Sequence, residues 1–194
     1  MGYSISMVEY GVVHGRFQVL HNDHLKYLMA AKERCRNLIV GLTNPDPLHT
    51  KSEVADQNRS NATSNPLTYY ERLYMLRAVL MEKGLDASEF MIVPFPISNP
   101  GHCKYYVPSD ATFFITIFDK WGEEKYNRLK SLGFKVEVLW RKNIANKGIT
   151  STQVRYLISS GKEYEHLVPA SVYKLIKKWR IDLRIQQLNN EIQL

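Results

Sequence analysis

Five short apolar runs constrain this chain more than any other feature: residues 8–13, 38–43, 90–93, 112–117 and 135–139. Between and after them lie stretches whose apolar residues recur every three or four positions, the period of a helix with one buried face. Leu38-Ile39-Val40-Gly41-Leu42 has no polar member, as expected of a strand covered on both faces. Strands alternating with helices in this way give a parallel sheet, doubly wound, with right-handed crossovers. In such sheets ligands sit beyond the carboxyl ends of the strands.

The helical stretches have readable ends. Residues 23–35 place Leu25, Leu28 and Met29 on one face. Thr68-Tyr69-Tyr70-Glu71 is a capping box opening a helix with Leu73, Leu76 and Leu80 as its stripe, and Gly84 ends it. Further helices are expected over 121–132, 151–160 and 169–180, the last carrying Val172, Leu175, Ile176 and Trp179 on one face. The tail, 181–194, repeats Ile181, Ile185, Leu188 and Ile192, which suits a homo-oligomer contact or a helix lying on the body. Residues 44–65 have no periodicity and read as a long loop, either a binding segment or an insertion.

A length of 194 residues favours one domain, 1–194, with 169–194 as a helical extension. No apolar run approaches the roughly 20 residues that cross a bilayer, and residues 1–10 lack a secretory signal. Cys35 and Cys103 do not have metal-ligand spacing, which fits a reduced cytoplasmic setting. The net charge of +7 is spread along the chain without a nucleic-acid motif. A small anionic ligand is therefore expected, with neither nucleic acid nor membrane as partner.

Two stretches carry chemistry. After the first apolar run comes Gly15-Arg16-Phe17-Gln18-Val19-Leu20-His21-Asn22-Asp23-His24. This reads as strand, tight turn and helix N-terminus, where exposed backbone N–H groups and the helix dipole attract an anion. Arg16 adds a planar fork suited to phosphate, and His21 and His24 are three residues apart on one helical turn. The second stretch, Ile149-Thr150-Ser151-Thr152-Gln153-Val154-Arg155, sets three hydroxyls before an arginine one turn into a helix. Such hydroxyls ordinarily cap a helix. Together with Arg155 they also suit an anion.

The first stretch resembles the nucleotidyltransferase superfamily, whose pattern is Gly-Arg-Phe-Gln-Pro-x-His-x-Gly-His. The second resembles that superfamily's Ile-Ser-Ser-Thr-x-x-Arg. Pro66-Leu67-Thr68-x-x-Glu71-Arg72, Val93-Pro94 and His166-Leu167-Val168-Pro169-x-Ser171-Val172 narrow the resemblance to the archaeal-type nicotinamide-nucleotide adenylyltransferases, over nearly all of the chain up to Trp179. The resemblance implies a Rossmann-like sheet of about five strands with C-terminal helices. It also implies transfer of AMP from ATP, with Mg2+, to nicotinamide mononucleotide, giving NAD and pyrophosphate. Arg16, His21, His24 and Arg155 would then be catalytic, with Gly15, Phe17, Gln18, Asp23, Ser151, Thr152 and the aromatic Tyr106 in the binding sites. The magnesium would ride on phosphates and water, with no protein ligand assigned.

This chain departs from the pattern in places. Val19 replaces proline, and Asp23 replaces a glycine, setting a carboxylate where a triphosphate is expected. Ser64 stands where the family has a basic residue. Pro96-Ile97 and Cys103 replace polar nicotinamide contacts, and Thr116-Ile117-Phe118 replaces a Thr-Gly-Asn near the adenine. The alternatives are adenylyl or cytidylyl transfer to another phosphorylated small-molecule acceptor, and a nucleotide sensor without turnover, for which Asp23 is the best argument.

Overall fold

The computed structural model describes residues 7–44, 61–97, 99–143, 145 and 148–191. The expected loop over 44–65 lies mostly outside them, as does the end of the tail. Five parallel strands form one sheet: β1 (Val8–Gly15), β2 (Cys35–Thr43), β3 (Phe90–Phe95), β4 (Thr112–Ile117) and β5 (Lys135–Arg141), in the order β3-β2-β1-β4-β5. Six α-helices accompany them: α1 (Asn22–Lys32), α2 (Tyr69–Glu82), α3 (Lys120–Ser131), α4 (Ser151–Ser159), α5 (Ala170–Lys178) and α6 (Ile181–Asn190). The architecture is the expected Rossmann-like α/β fold. Among the described residues, no helix is long and apolar enough to cross a membrane.

The chain divides into two compact units. The first comprises the described residues of Met1–Gly15, Lys26–Thr43 and Leu85–Lys147, and it holds the whole sheet. Strand order reverses at β1, which has β2 on one side and β4 on the other. The two pairings are unequal. β1 stays in register with β2 up to Gly15↔Leu42, but with β4 only at Gly11↔Thr112 and Val12↔Phe113. Beyond Val12 the two strands part. The Tyr27 hydroxyl fills the gap, donating to the Phe114 carbonyl at 2.6 Å while accepting from the His14 backbone N–H.

One apolar face of this sheet carries Val12, Phe95, Phe113, Ile115 and Phe134 in a single buried cluster. Phe95 lies so close over β2 that a Cβ at Gly41 would come within 2.7 Å of its ring, so only glycine fits there. Cys35 was expected at the end of a helix. It is instead the first residue of β2, fully buried, with its thiol donating to the Ala31 carbonyl at 3.3 Å. The helix stops earlier because Arg34 N–H closes a tight turn onto Ala31, and Val8 N–H then pairs with the Arg34 carbonyl.

The second unit comprises the described residues of Arg16–Leu25, Asn44–Gly84 and Gly148–Leu194. Here α2 packs against α5 and α4 against α6. The capping box is present: the Thr68 hydroxyl accepts from Glu71 N–H at 3.2 Å, and the Glu71 carboxylate accepts from Thr68 N–H at 2.8 Å. That same carboxylate receives a bidentate Arg184 guanidinium, both bonds 2.8 Å, and Arg184 also reaches the Pro66 carbonyl. Burial pushes the Glu71 carboxyl up, but Arg184 and the Thr68 N–H outweigh it and hold it below the usual carboxylate range. The tail helix α6 is thus fastened to the start of α2.

Candidate active site

The second unit brings together Arg16, Phe17, Gln18, His21, Asp23, His24, Ser151, Thr152 and Arg155. Gly15 ends β1, and Tyr106 follows a 3-10 turn over Pro100–Tyr105; both belong to the first unit.

The Arg16-Phe17-Gln18 stretch is held by side chains from elsewhere in its unit. Gln18, 3% exposed, spends its amide on the Leu67 backbone, donating to the carbonyl and accepting from the N–H, both at 2.9 Å. Arg72 gives its guanidinium to backbone carbonyls: Arg16 at 3.0 Å, Asn44 at 2.8 Å and Thr68 at 3.3 Å. It is therefore a positioning residue, and it fixes the peptide that carries Arg16. Phe17 sits in the left-handed region at φ 51, and its buried ring meets His24 edge-on with centroids 5.0 Å apart. A bulky residue in that conformation costs roughly 1–2 kcal/mol, held here by the flanking anchors.

His21 lies just before α1 rather than on its first turn. Its carbonyl accepts the Leu25 N–H at 3.1 Å and its Nδ1 accepts the His24 N–H at 3.4 Å. The two imidazoles stack with centroids 3.7 Å apart. An Nδ1 that accepts leaves Nε2 carrying the proton, so neutral His21 is a donor through Nε2. Burial pushes its pKa down to about 4, against a small upward pull from Asp23, so it is neutral at pH 7. It can offer a phosphate oxygen a hydrogen bond without a full charge.

The α4 end is assembled as follows. Thr150 caps the helix, accepting from Gln153 N–H at 3.2 Å. The Ser151 hydroxyl donates to the Val19 carbonyl at 3.0 Å. Arg155 donates to the Gln18 carbonyl and, at 3.3 Å, to the Thr152 hydroxyl. Ser151 and Arg155 thus stitch the second motif onto the backbone of the first. Burial, with the neighbouring charge of Arg16, lowers the Arg155 pKa to about 10, and the same two effects act on Arg72. Both remain cationic at neutral pH. The Arg16 guanidinium repels both Arg72 and Arg155, a charge arrangement that a polyanion would relieve.

Two of the departures from the family pattern, Asp23 and Cys103, have partners in the structure. The Asp23 carboxylate accepts the Ile149 N–H at 2.7 Å and lies against Gly148, which takes φ +70 and where a Cβ would come within 2.3 Å of Oδ2. Asp23 is a tie between the start of α1 and the approach to α4. Cys103 is fully buried in the aromatic cluster, its thiol donating to the Pro96 carbonyl at 3.8 Å and pushed up to about 11 by burial. It is a core residue. Tyr106 is 40% exposed.

Arg72 was legible only as part of a resemblance. Nothing local marks an arginine one turn into a helix as the anchor of a residue 56 positions away. Among the described residues, no three His, Cys, Asp or Glu side chains cluster as a metal cage.

The fold and the two stitched motifs define a nucleotide-handling α/β protein, and residues 12–157 match the cytidylyltransferase-like family model. The chain belongs to that family and is a nucleotidyltransferase-type protein. It is 46% identical to a phosphonoformate cytidylyltransferase of Streptomyces viridochromogenes over 91% of this chain and 95% of that protein. It is 30% identical to a nicotinamide-nucleotide adenylyltransferase of Saccharolobus solfataricus, over 92% of this chain and 95% of the relative. A bifunctional NMN adenylyltransferase/ADP ribose pyrophosphatase from Francisella tularensis shares the fold, with TM-score 0.67 and 16% identity. The match covers 96% of this chain and 55% of that one, so this chain spans about half the bifunctional protein.

Proposed function

We propose that this protein transfers CMP from CTP to a small phosphonate or phosphate acceptor that also carries a carboxylate, releasing pyrophosphate. An acceptor oxygen attacks the α-phosphorus, the bond to the bridging oxygen breaks, and the displaced pyrophosphate leaves with the electron pair. The acceptor oxygen is already ionised, so no general base is needed. Catalysis then consists of holding two anions in line and neutralising charge on the leaving group. His21 and His24 would donate to the triphosphate, Arg155 would hold its outer phosphates, and Arg16 would contribute charge. Mg2+ entering with the nucleotide would supply charge neutralisation on its phosphates, and no described side-chain cluster is assigned to hold it.

The observation that carries the choice of CTP and acceptor is the 46% identity, nearly end to end, with the phosphonoformate enzyme, against 30% with the archaeal adenylyltransferase. The Asp23 carboxylate accepts the Ile149 N–H, which gives it a structural role beside any effect on an anion. Adenylyl transfer to nicotinamide mononucleotide is the second reading, supported by the exposed Tyr106 face. The test is pyrophosphate release with each pairing of CTP or ATP and phosphonoformate or nicotinamide mononucleotide, in Mg2+. The highest kcat/KM is expected for CTP with phosphonoformate. NAD formation at tenfold higher kcat/KM would overturn the proposal.

A further inference from the structure

The tail helix α6 reaches both parts of the second unit that carry or support the two motifs. Its Arg184 guanidinium takes the Glu71 carboxylate in two bonds of 2.8 Å and the Pro66 carbonyl at 3.1 Å. Two residues on, Gln186 donates its amide to the Ile158 carbonyl of α4 at 3.2 Å. Ile181 and Ile185 are buried and seat the helix, so these polar contacts start from a fixed base.

What Arg184 grips is the segment that holds the first motif. It binds the Pro66 carbonyl directly and Thr68 through Glu71, whose carboxylate accepts the Thr68 N–H at 2.8 Å. Leu67, between them, spends both its backbone groups on the Gln18 amide, each bond 2.9 Å. The Thr68 carbonyl accepts Arg72 Nε at 3.3 Å, and the same guanidinium donates to the Arg16 carbonyl at 3.0 Å. The Gln18 carbonyl in turn accepts Arg155. A run of bonds within one unit thus leads from the tail to Arg16 and Arg155. The capping box itself needs only Thr68 and Glu71. The Arg184 fork is an addition to it, and a bidentate fork fixes the direction of a carboxylate as well as its place.

Resting on the proposed role of Arg16 and Arg155 at the triphosphate, we propose that Arg184 is a positioning residue for triphosphate binding. Its hydrogen bonds go to Glu71 and Pro66, so it acts through them. It restrains the Pro66–Thr68 backbone, which sets both the peptide that carries Arg16 and the Gln18 carbonyl against which Arg155 rests. Without Arg184 the capping box survives, but that backbone loses its second restraint. The two guanidiniums then have to be ordered by the ligand, and the cost appears as lost affinity.

The test measures CTP, ATP and CMP binding calorimetrically, in Mg2+ and without acceptor, with folding checked by urea denaturation. The proteins are wild type, Arg184→Ala, Arg184→Lys, Glu71→Gln and the double variant Arg184→Ala with Glu71→Gln. Arg184→Ala should raise the Kd of the better-bound triphosphate about tenfold or more and that of CMP less than about threefold, since the ordering serves the outer phosphates. Arg184→Lys, which keeps the charge but not the fork, should recover part of the loss. Glu71→Gln keeps a capping box and weakens the pair, so it should also raise the triphosphate Kd, and the double variant should bind within about twofold of Arg184→Ala because both changes cut one path. A folded Arg184→Ala protein with an unchanged triphosphate Kd, or with equal losses for triphosphate and CMP, would overturn the proposal and leave Arg184 a fastening of the tail. Tighter binding of ATP than CTP by wild type would count against cytidylyl transfer alone, and Arg184 would then be judged on ATP. Wild type that binds neither triphosphate would overturn both readings. If Arg184→Ala does not fold, Arg184→Lys and Glu71→Gln decide: an unchanged triphosphate Kd in both overturns the assignment.

Discussion

Asp23 and Gly148 form a two-residue device whose energetics can be tested by a double-mutant cycle. In the native chain the Asp23 carboxylate accepts the Ile149 N–H at 2.7 Å, with Oδ2 lying where a Gly148 side chain would begin. Gly148→Ala adds two costs. The left-handed φ of +70 costs about 1–2 kcal/mol for a non-glycine residue. The new methyl, 2.3 Å from Oδ2, also drives the carboxylate off the Ile149 N–H, losing a charge-assisted bond worth about 1.5–3 kcal/mol. The single variant should therefore lose roughly 2.5–5 kcal/mol. Asp23→Ala loses the bond to the Ile149 N–H, about 1.5–3 kcal/mol. On that background Gly148→Ala meets no carboxylate and costs only its φ strain, about 1–2 kcal/mol. The double variant should thus be less destabilised than the sum of the singles by about 1.5–3 kcal/mol. Urea denaturation of the four proteins measures this, and the nucleotide KM should rise in each variant because Ile149 leads directly into the Thr150 cap. Additivity within about 0.5 kcal/mol would refute the coupling, and tighter nucleotide binding in Asp23→Ala would support the view of Asp23 as a repulsive charge.

Arg155→Ala should weaken the nucleoside triphosphate about 10–100-fold, from loss of a charge-assisted contact, and weaken the monophosphate far less; equal losses would remove Arg155 from the outer phosphates. His21 gives stability a definite pH dependence. Its folded pKa of about 4 lies below the unfolded value of 6.5, so its contribution is fully present above pH 6.5 and is lost as pH falls toward 4. The span corresponds to about 3 kcal/mol at most. Between those pH values the urea midpoint of His21→Asn should fall less steeply than that of wild type, and parallel profiles would show that His21 is not buried as a neutral group.

The sequence by itself determined the succession of elements and the type of sheet. The apolar runs, the Thr68–Glu71 capping box and the two motifs are local patterns, and local hydrogen bonding realises them where the pattern indicates. Boundaries shifted where hydrogen bonding departed from the apolar pattern: β1 continues through His14 and Gly15 because β2 still offers partners there, and the first helix ends before Cys35 because a turn closes onto Ala31. Tertiary structure decided what each polar side chain does. The Asp23 carboxylate takes a hydrogen bond from Ile149, 126 positions away, that its own sequence neighbours do not announce. The Ser151 hydroxyl donates to the Val19 carbonyl, a partner 132 positions away that no local pattern announces. Arg184 and Glu71 could not be paired from sequence, because partnership depends on segments that meet only after folding. Periodicity records which face of an element is apolar. It carries no record of which distant backbone group a carboxylate, hydroxyl or imidazole will face, and at this site those long-range bonds set the charge that a nucleotide would meet.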